Sequence, residues 1–229
     1  MASQGPRGFL HASKAAACVS PHISVLNKTK IALLIELRPE RTLIPILLHY
    51  MATVPEDWPF MLMHSAEVVP LLNRSAAIKK YIQSGKLTAM QLPETILLKD
   101  RQDLDAMICS NSDQSVDDYL HFDYVGAPWP HAPQLRGGNG GFSMRRKSRL
   151  LRCLRHRTWH RGEDSEDVFY SYCLSSFPDA VMPSFQQQKE FAIERLDSPR
   201  YLGLHKPAGG VKVATHLDFC PEAAMLFRA

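Results

Sequence analysis

Apolar positions along this chain fall into short continuous blocks divided by stretches of helical period. Residues 30–36, Lys-Ile-Ala-Leu-Leu-Ile-Glu, form the first block; its length and branching predict a buried strand of the kind a parallel sheet carries. Apolar residues return at helical spacing over 43–51, with Pro45 in the first turn, where its missing N–H costs little. Asp57-Trp-Pro breaks the chain, and 60–64, Phe-Met-Leu-Met-His, predicts a second strand. Ser65 is placed to cap the next helix, with Glu67 in its first turn. A further short helix spans 75–84 and stops at Gly85, and a third strand covers 87–92. Strand, helix, strand, helix, strand predicts an α/β domain with a mostly parallel central sheet flanked by helices.

The second half is less regular. Residues 96–98 predict a fourth strand, 106–109 are apolar again, and 115–120 form a short helix bearing Asp117 and Asp118. Tyr124-Val125 makes another strand. It leads through Gly-Ala-Pro-Trp129 to Arg136-Gly-Gly-Asn-Gly-Gly-Phe-Ser-Met-Arg-Arg146, read as a shaped glycine loop followed by a basic helix over 148–157. Glycine lets a backbone approach a ligand closely, and the Ala-Pro-Trp and Phe-Ser-Met flanks are poor composition for a free linker. A helix over 165–174 follows with acids at its start, then a mixed segment over 185–194 and the run Arg200-Tyr-Leu-Gly-Leu-His-Lys-Pro207.

At 229 residues and 45% hydrophobic, the chain can bury a full core, so one domain over 30–229 is expected. Residues 1–29 contain no acid and read as a disordered tail. No run of about 20 apolar residues occurs, which excludes a helical membrane span from the expectations and makes a cytoplasmic protein the simpler one. The five cysteines are scattered without a CxxC pair, a pattern that predicts reduced, buried thiols rather than a disulfide framework. A net charge of +4 suits an anionic ligand.

Four constellations carry candidate chemistry. Asp103-Leu-Asp105, after a predicted strand, can present two carboxylates to a hard cation such as Mg²⁺ or Mn²⁺, although by themselves these acids read first as a solvated loop. Glu166 and Asp167 stand where an acidic helix start meets the apolar Val168-Phe-Tyr170, a position from which a carboxylate can take a proton from a hydroxyl nucleophile. His205 and Lys206 pair a potential metal ligand with a potential phosphate partner. The basic run 145–155 carries leucines at helical spacing and reads as a solvated helix face before it reads as a nucleic-acid surface.

Leu-Ile-Glu-Leu-Arg-Pro39, Asp57-Trp-Pro, Met107-Ile-Cys-Ser-Asn-Ser112, Phe122-Asp-Tyr-Val-Gly-Ala-Pro-Trp129, Gly138-Asn-Gly-Gly-Phe-Ser-Met-Arg145, Glu166-Asp-Val-Phe169 and Gly203-Leu-His-Lys-Pro207 occur in that order. Together they resemble an uncharacterised, largely fungal domain family that looks like GT-A-type glycosyltransferases, over roughly residues 30–226. The resemblance implies a GT-A-like, Rossmann-type nucleotide-sugar fold, a divalent cation, a nucleotide-sugar donor and a hydroxyl-bearing acceptor. The family shows Gln-Thr-Asp at this point, so by the resemblance Asp105 is the matching metal-binding carboxylate, Asp103 is a substitution that restores two acids, and His205 completes the metal site. Asp167 takes the base role, with Glu166 as second choice. Gly137, Gly138, Asn139, Gly140 and Gly141 line donor and acceptor, and Lys206 meets the diphosphate. The family carries a longer segment before the Asp motif, with Tyr-Asn and Phe-Trp-Glu elements, where this chain has only residues 93–102. That departure keeps a non-catalytic binding module of the same fold open as the alternative.

Overall fold

The computed structural model describes residues 25–93, 104–160, 165–206 and 213–226. The fourth strand expected over 96–98, Asp103, and most of the expected N-terminal tail lie outside the described residues.

The first half alternates as its pattern predicts. Strand β1 (Ala32–Glu36) leads to helix α1 (Leu43–Thr53), then β2 (Phe60–His64), helices α2 (Val69–Arg74) and α3 (Ala76–Gln83), and β3 (Leu87–Gln91). The three strands pair in parallel in the order β1-β2-β3. Parallel register puts Ala32, Phe60 and Leu87 in one row, and Leu34, Leu62 and Ala89 in the next on the same face. That face packs against Leu43, Leu47 and Met51 of α1, Leu72 of α2 and Ile78 of α3. The opposite face is not sealed: Leu33 is 53% and Met90 37% exposed. The expectation of a strand buried on both sides over 30–36 is corrected here, because one face alone meets the helices. Ser65 does not cap as expected; its hydroxyl donates to the Leu37 carbonyl and ties β2 to the loop after β1. Ser75 does cap, accepting from the Ile78 N–H at 3.2 Å.

The second half departs from a single parallel sheet. Strand β4 (Ala106–Ile108) is followed by a 3₁₀ turn (Val116–Tyr119), then β5 (Tyr124–Ala127) and β6 (Asn139–Arg145). Helices α4 (Lys147–His156), α5 (Glu166–Ser175) and α6 (Phe185–Phe191) precede β7 (Ala192–Ile193), β8 (Gly203–His205), α7 (Val213–Phe219) and a final 3₁₀ segment (Pro221–Leu226). One sheet runs β4-β8-β7, with β8 antiparallel to β4 and parallel to β7; β5 and β6 form an antiparallel pair. The fold is mixed α/β, and among the described residues its main parallel sheet has three strands. Tyr50 and His49 of α1 reach the carbonyls of Ala106 and Ile108 at 2.6 and 2.7 Å, which joins the two halves.

Cys109 and Cys220 form one disulfide and Cys153 and Cys173 another, with Cα separations of 4.8 and 5.8 Å. The expectation of free thiols is corrected: packing of α4 on α5, and of the last turn on β4, brings together cysteines whose spacing has no short-motif signature.

The basic run is not a free cationic stripe either. Arg146 and Arg149 pair with buried Asp123, while Arg149 and Arg152 converge on Asp179 at 2.7 and 2.9 Å. Hydrogen bonds from Arg149 and Arg152 bring the Asp179 carboxyl down to about 2. A carboxylate lowered in the fold stabilises above its ordinary value and loses that effect as pH falls through its folded value. Asp179→Asn should therefore lower Tm at neutral pH, and the gap from wild type should close between about pH 4 and pH 2. A gap that persists at pH 2 in parallel melting scans would contradict this role.

Candidate functional site

The site is assembled by strand register. In the β4–β8 ladder Ala106 pairs with His205, and the Lys206 N–H donates to the Asp105 carbonyl at 2.7 Å just beyond it. In the parallel β7–β8 ladder Ile193 pairs with Leu204, so Glu194 is the residue that comes level with His205 on the other side. The central strand thus ends in a histidine flanked by a carboxylate from each neighbour. Nε2 of His205 lies 3.5 Å from Asp105 Oδ1, and Nδ1 lies 3.7 Å from Glu194 Oε2. The ring is only 1% exposed, and its Nδ1 has no hydrogen-bond partner among the described residues. Burial opposes the imidazolium, but the Asp105 and Glu194 carboxylates outweigh it and raise the His205 pKa. Lys206 follows with φ of 50°, an unusual left-handed conformation for a side-chain-bearing residue, as the chain leaves β8.

The glycine segment expected to be a loop is partly strand. Gly137 and Gly138, with φ of 107° and 92°, make the turn; Asn139 to Arg145 is β6. The reason is close packing of two backbones. A Cβ on Gly126 would come within 2.2 Å of the Asn139 carbonyl oxygen, and one on Gly138 within 2.5 Å of the Ala127 and Gly126 oxygens. The register shifts at Gly126/Ala127, where this contact is tightest. Beneath the turn, the Tyr124 hydroxyl donates to the Gly138 carbonyl at 2.6 Å, and burial pushes that phenol up so that it stays protonated.

Gly140 and Gly141 bring the separate groups to one place. A Cβ on Gly141 would lie 2.2 Å from His205 Nε2. A Cβ on Gly140 would lie 2.3 Å from Glu166 Oε1 and 3.1 Å from the Asp167 Cβ. One dipeptide of β6, about 3.8 Å between its Cα atoms, therefore touches the histidine with one residue and the two carboxylates with the other. The Gly140 N–H donates to Asp167 Oδ2 at 3.1 Å, while Asp167 Oδ1 accepts from the Val168 N–H at 2.8 Å and from the Ser165 hydroxyl. Glu166 is held differently: both of its oxygens take hydrogen bonds from Arg145, at 2.5 and 2.9 Å. Arg145 in turn lies over the rings of Tyr124 and Tyr170, 4.8 and 5.8 Å from their centroids.

Of the residues singled out from sequence, Asp105, His205, Gly140, Gly141, Glu166 and Asp167 fall into this region, and Asp103 lies outside the described residues. Among the described residues no group of three His, Cys, Asp or Glu side chains is arranged to hold a metal ion. Sequence reading missed Glu194 and Arg145. Glu194 follows the short apolar run Phe191-Ala-Ile much as Glu36 closes β1, and an acid at the end of an apolar run was the available signal. No helix among the described residues is long and apolar enough to cross a membrane.

The chain belongs to the DUF5672 family, described as a protein of unknown function, whose family model matches residues 79–209, more than half the sequence. The match takes in β4 to β8 and with them Asp105, Gly137 to Gly141, Asp167, Glu194 and His205. No curated protein and no solved structure matches the chain.

Proposed function

We propose that this member of the DUF5672 family is a metal-dependent glycosyltransferase with a GT-A-like site, moving a sugar from a nucleotide-diphosphate donor to a hydroxyl acceptor. The observation that carries the reading is the Gly140–Gly141 dipeptide, which has a carboxylate available as base on one side and an imidazole available as ligand on the other. A glycosyl transfer needs both: a place where the leaving diphosphate is neutralised, and a base within one sugar's reach of it.

Asp105 and His205 are suited to hold Mn²⁺ or Mg²⁺. Their 3.5 Å separation is longer than the usual hydrogen bond of about 2.7–3.2 Å, and a side-chain shift of roughly 0.5 Å would bring them to the spacing of about 3.0 Å that neighbouring ligands keep on an octahedral cation. Two protein ligands suffice for such a cation when phosphate oxygens and water complete its shell. Bound there, the cation would neutralise charge developing on the diphosphate.

The chain's own groups do the rest. Among the described residues, Oδ2 of Asp167 accepts a hydrogen bond from Gly140 alone, which leaves it able to take the acceptor's proton. As the acceptor oxygen bonds to the anomeric carbon, the bond from that carbon to the diphosphate oxygen breaks and the proton passes to Asp167. Glu166 is the weaker base because Arg145 occupies both of its oxygens. Lys206, exposed beside His205, supplies a second positive charge for the diphosphate. The two disulfides favour an oxidising compartment over the cytoplasm, since such bonds persist where thiols are not kept reduced.

The test is release of nucleoside diphosphate from a panel of UDP- and GDP-sugars with Mn²⁺, in the presence of simple sugar acceptors. Release with one donor, abolished in Asp105→Ala, is the expected outcome. Tight binding of a donor with no release, even with varied acceptors, would favour the non-catalytic module.

A further inference from the structure

We infer that Glu194 is a positioning residue for His205: it accepts a hydrogen bond from Nδ1–H and so leaves Nε2 as the nitrogen offered to the cation. The inference rests on the reading of Asp105 and His205 as cation ligands and adds to it a residue that no sequence motif marked.

A neutral imidazole carries one N–H, and the nitrogen without it is the ligand. The surroundings of the two nitrogens differ. Nε2 faces Asp105 and the bare backbone of Gly141, which lies so close that a Cβ there would come within 2.2 Å of it. Nδ1 faces Glu194 and has no other partner among the described residues, in a buried ring. A buried N–H without an acceptor is costly, and Glu194 is the acceptor standing in front of it. The present 3.7 Å exceeds a good hydrogen bond by roughly 0.5 Å, a gap that a small carboxylate rotation closes.

Glu194 is itself fixed. Its side chain is 9% exposed, and it directly follows β7, whose register with β8 brings it level with His205. It meets the ring on the Nδ1 edge while Asp105 meets the Nε2 edge, so one cation on Nε2 is out of its reach. A carboxylate on the far nitrogen of a ligating histidine holds the tautomer and the ring orientation. The register of three strands therefore specifies the whole relay: ligand from the residue before β4, histidine from β8, orienting carboxylate from the residue after β7.

The test is titration with Mn²⁺, following the free-ion paramagnetic resonance signal, on wild type, Glu194→Ala and Glu194→Gln. Glu194→Ala should bind Mn²⁺ about 10–100-fold more weakly than wild type. Glu194→Gln should recover most of that loss, because its amide oxygen still accepts from Nδ1–H. In wild type with Mg²⁺, nitrogen-15 spectra of His205 should show a protonated Nδ1 and an unprotonated Nε2, a readout that needs no variant to fold. Equal Mn²⁺ affinity in wild type and a folded Glu194→Ala, or a proton on Nε2 with Mg²⁺ bound, would overturn the role of Glu194 and leave the cation site standing. A wild type that binds no Mn²⁺ would instead remove the cation reading, and this inference with it.

Discussion

An alanine at position 141 should cost the protein its divalent cation while leaving the fold in place. The added Cβ would sit 2.2 Å from Nε2 of His205, the nitrogen assigned to the cation. The ring cannot swing aside freely, because it is 1% exposed and packed between strands. If the imidazole turns, Nε2 leaves its place beside Asp105; if β6 lifts instead, the added methyl still stands against Nε2 and obstructs a cation there. Overpacking of this kind costs about 1–3 kcal/mol, less than the roughly 5–15 kcal/mol that holds a typical domain together. Gly126→Ala or Gly138→Ala would be graver for folding, since their new atoms would meet backbone oxygens at 2.2 and 2.5 Å rather than a side chain. Mn²⁺ affinity of Gly141→Ala should fall on the order of 100-fold, with an unchanged circular-dichroism spectrum. Wild-type affinity in that variant would mean that Nε2 is not the ligand.

Replacing Asp167 by asparagine should lower kcat by about 10²–10⁴-fold with donor affinity preserved. Asparagine keeps the shape of the side chain and one accepting oxygen; turned toward the Gly140 N–H it preserves the contact of β6 with α5 and gives up the bond from the Val168 N–H, a modest loss of stability that a melting curve reads separately from kcat. What it loses is the capacity to take a proton near neutral pH. Donor binding depends on the other side of the dipeptide, at His205 and Lys206, and should not change. Glu166→Gln is the matched comparison: with both oxygens already engaged by Arg145, it should disturb the Arg145 stack on Tyr124 more than the chemistry. Turnover by Asp167→Asn at the wild-type rate would move the base role to another group.

The parts of this fold that sequence made legible are those set by local pattern. The runs at 60–64 and 87–91, and the helical spacing of Leu43, Ile46 and Leu47, gave strands and a helix where they occur, because each element shows its own period in its own residues. Whether a strand is covered on both faces depends on where the helices go, which the run Ile31 to Ile35 does not encode; hence the misread of Leu33. The glycine segment was misread for a related reason. Glycines at 137, 138, 140 and 141 suggested a loop, yet those at 140 and 141 are strand residues kept small by neighbours distant in sequence, Glu166 and His205. The cysteines carried no signal because their partners lie 111 and 20 residues apart. Glu194 escaped notice because its meaning comes from the β7–β8 register, a long-range pairing. Single residues with strong chemical character, such as Asp105, Asp167 and His205, were visible; the shell that orients them was not.

The decisive measurement is calorimetric titration of the protein with UDP- and GDP-sugars, first with Mn²⁺ and then with EDTA. Saturable binding of one nucleotide class that disappears on chelation, and is absent from His205→Ala, is the outcome predicted here. A folded protein that binds no sugar nucleotide, or binds one equally well in EDTA, would contradict the assignment of Asp105 and His205 to a cation that holds the donor.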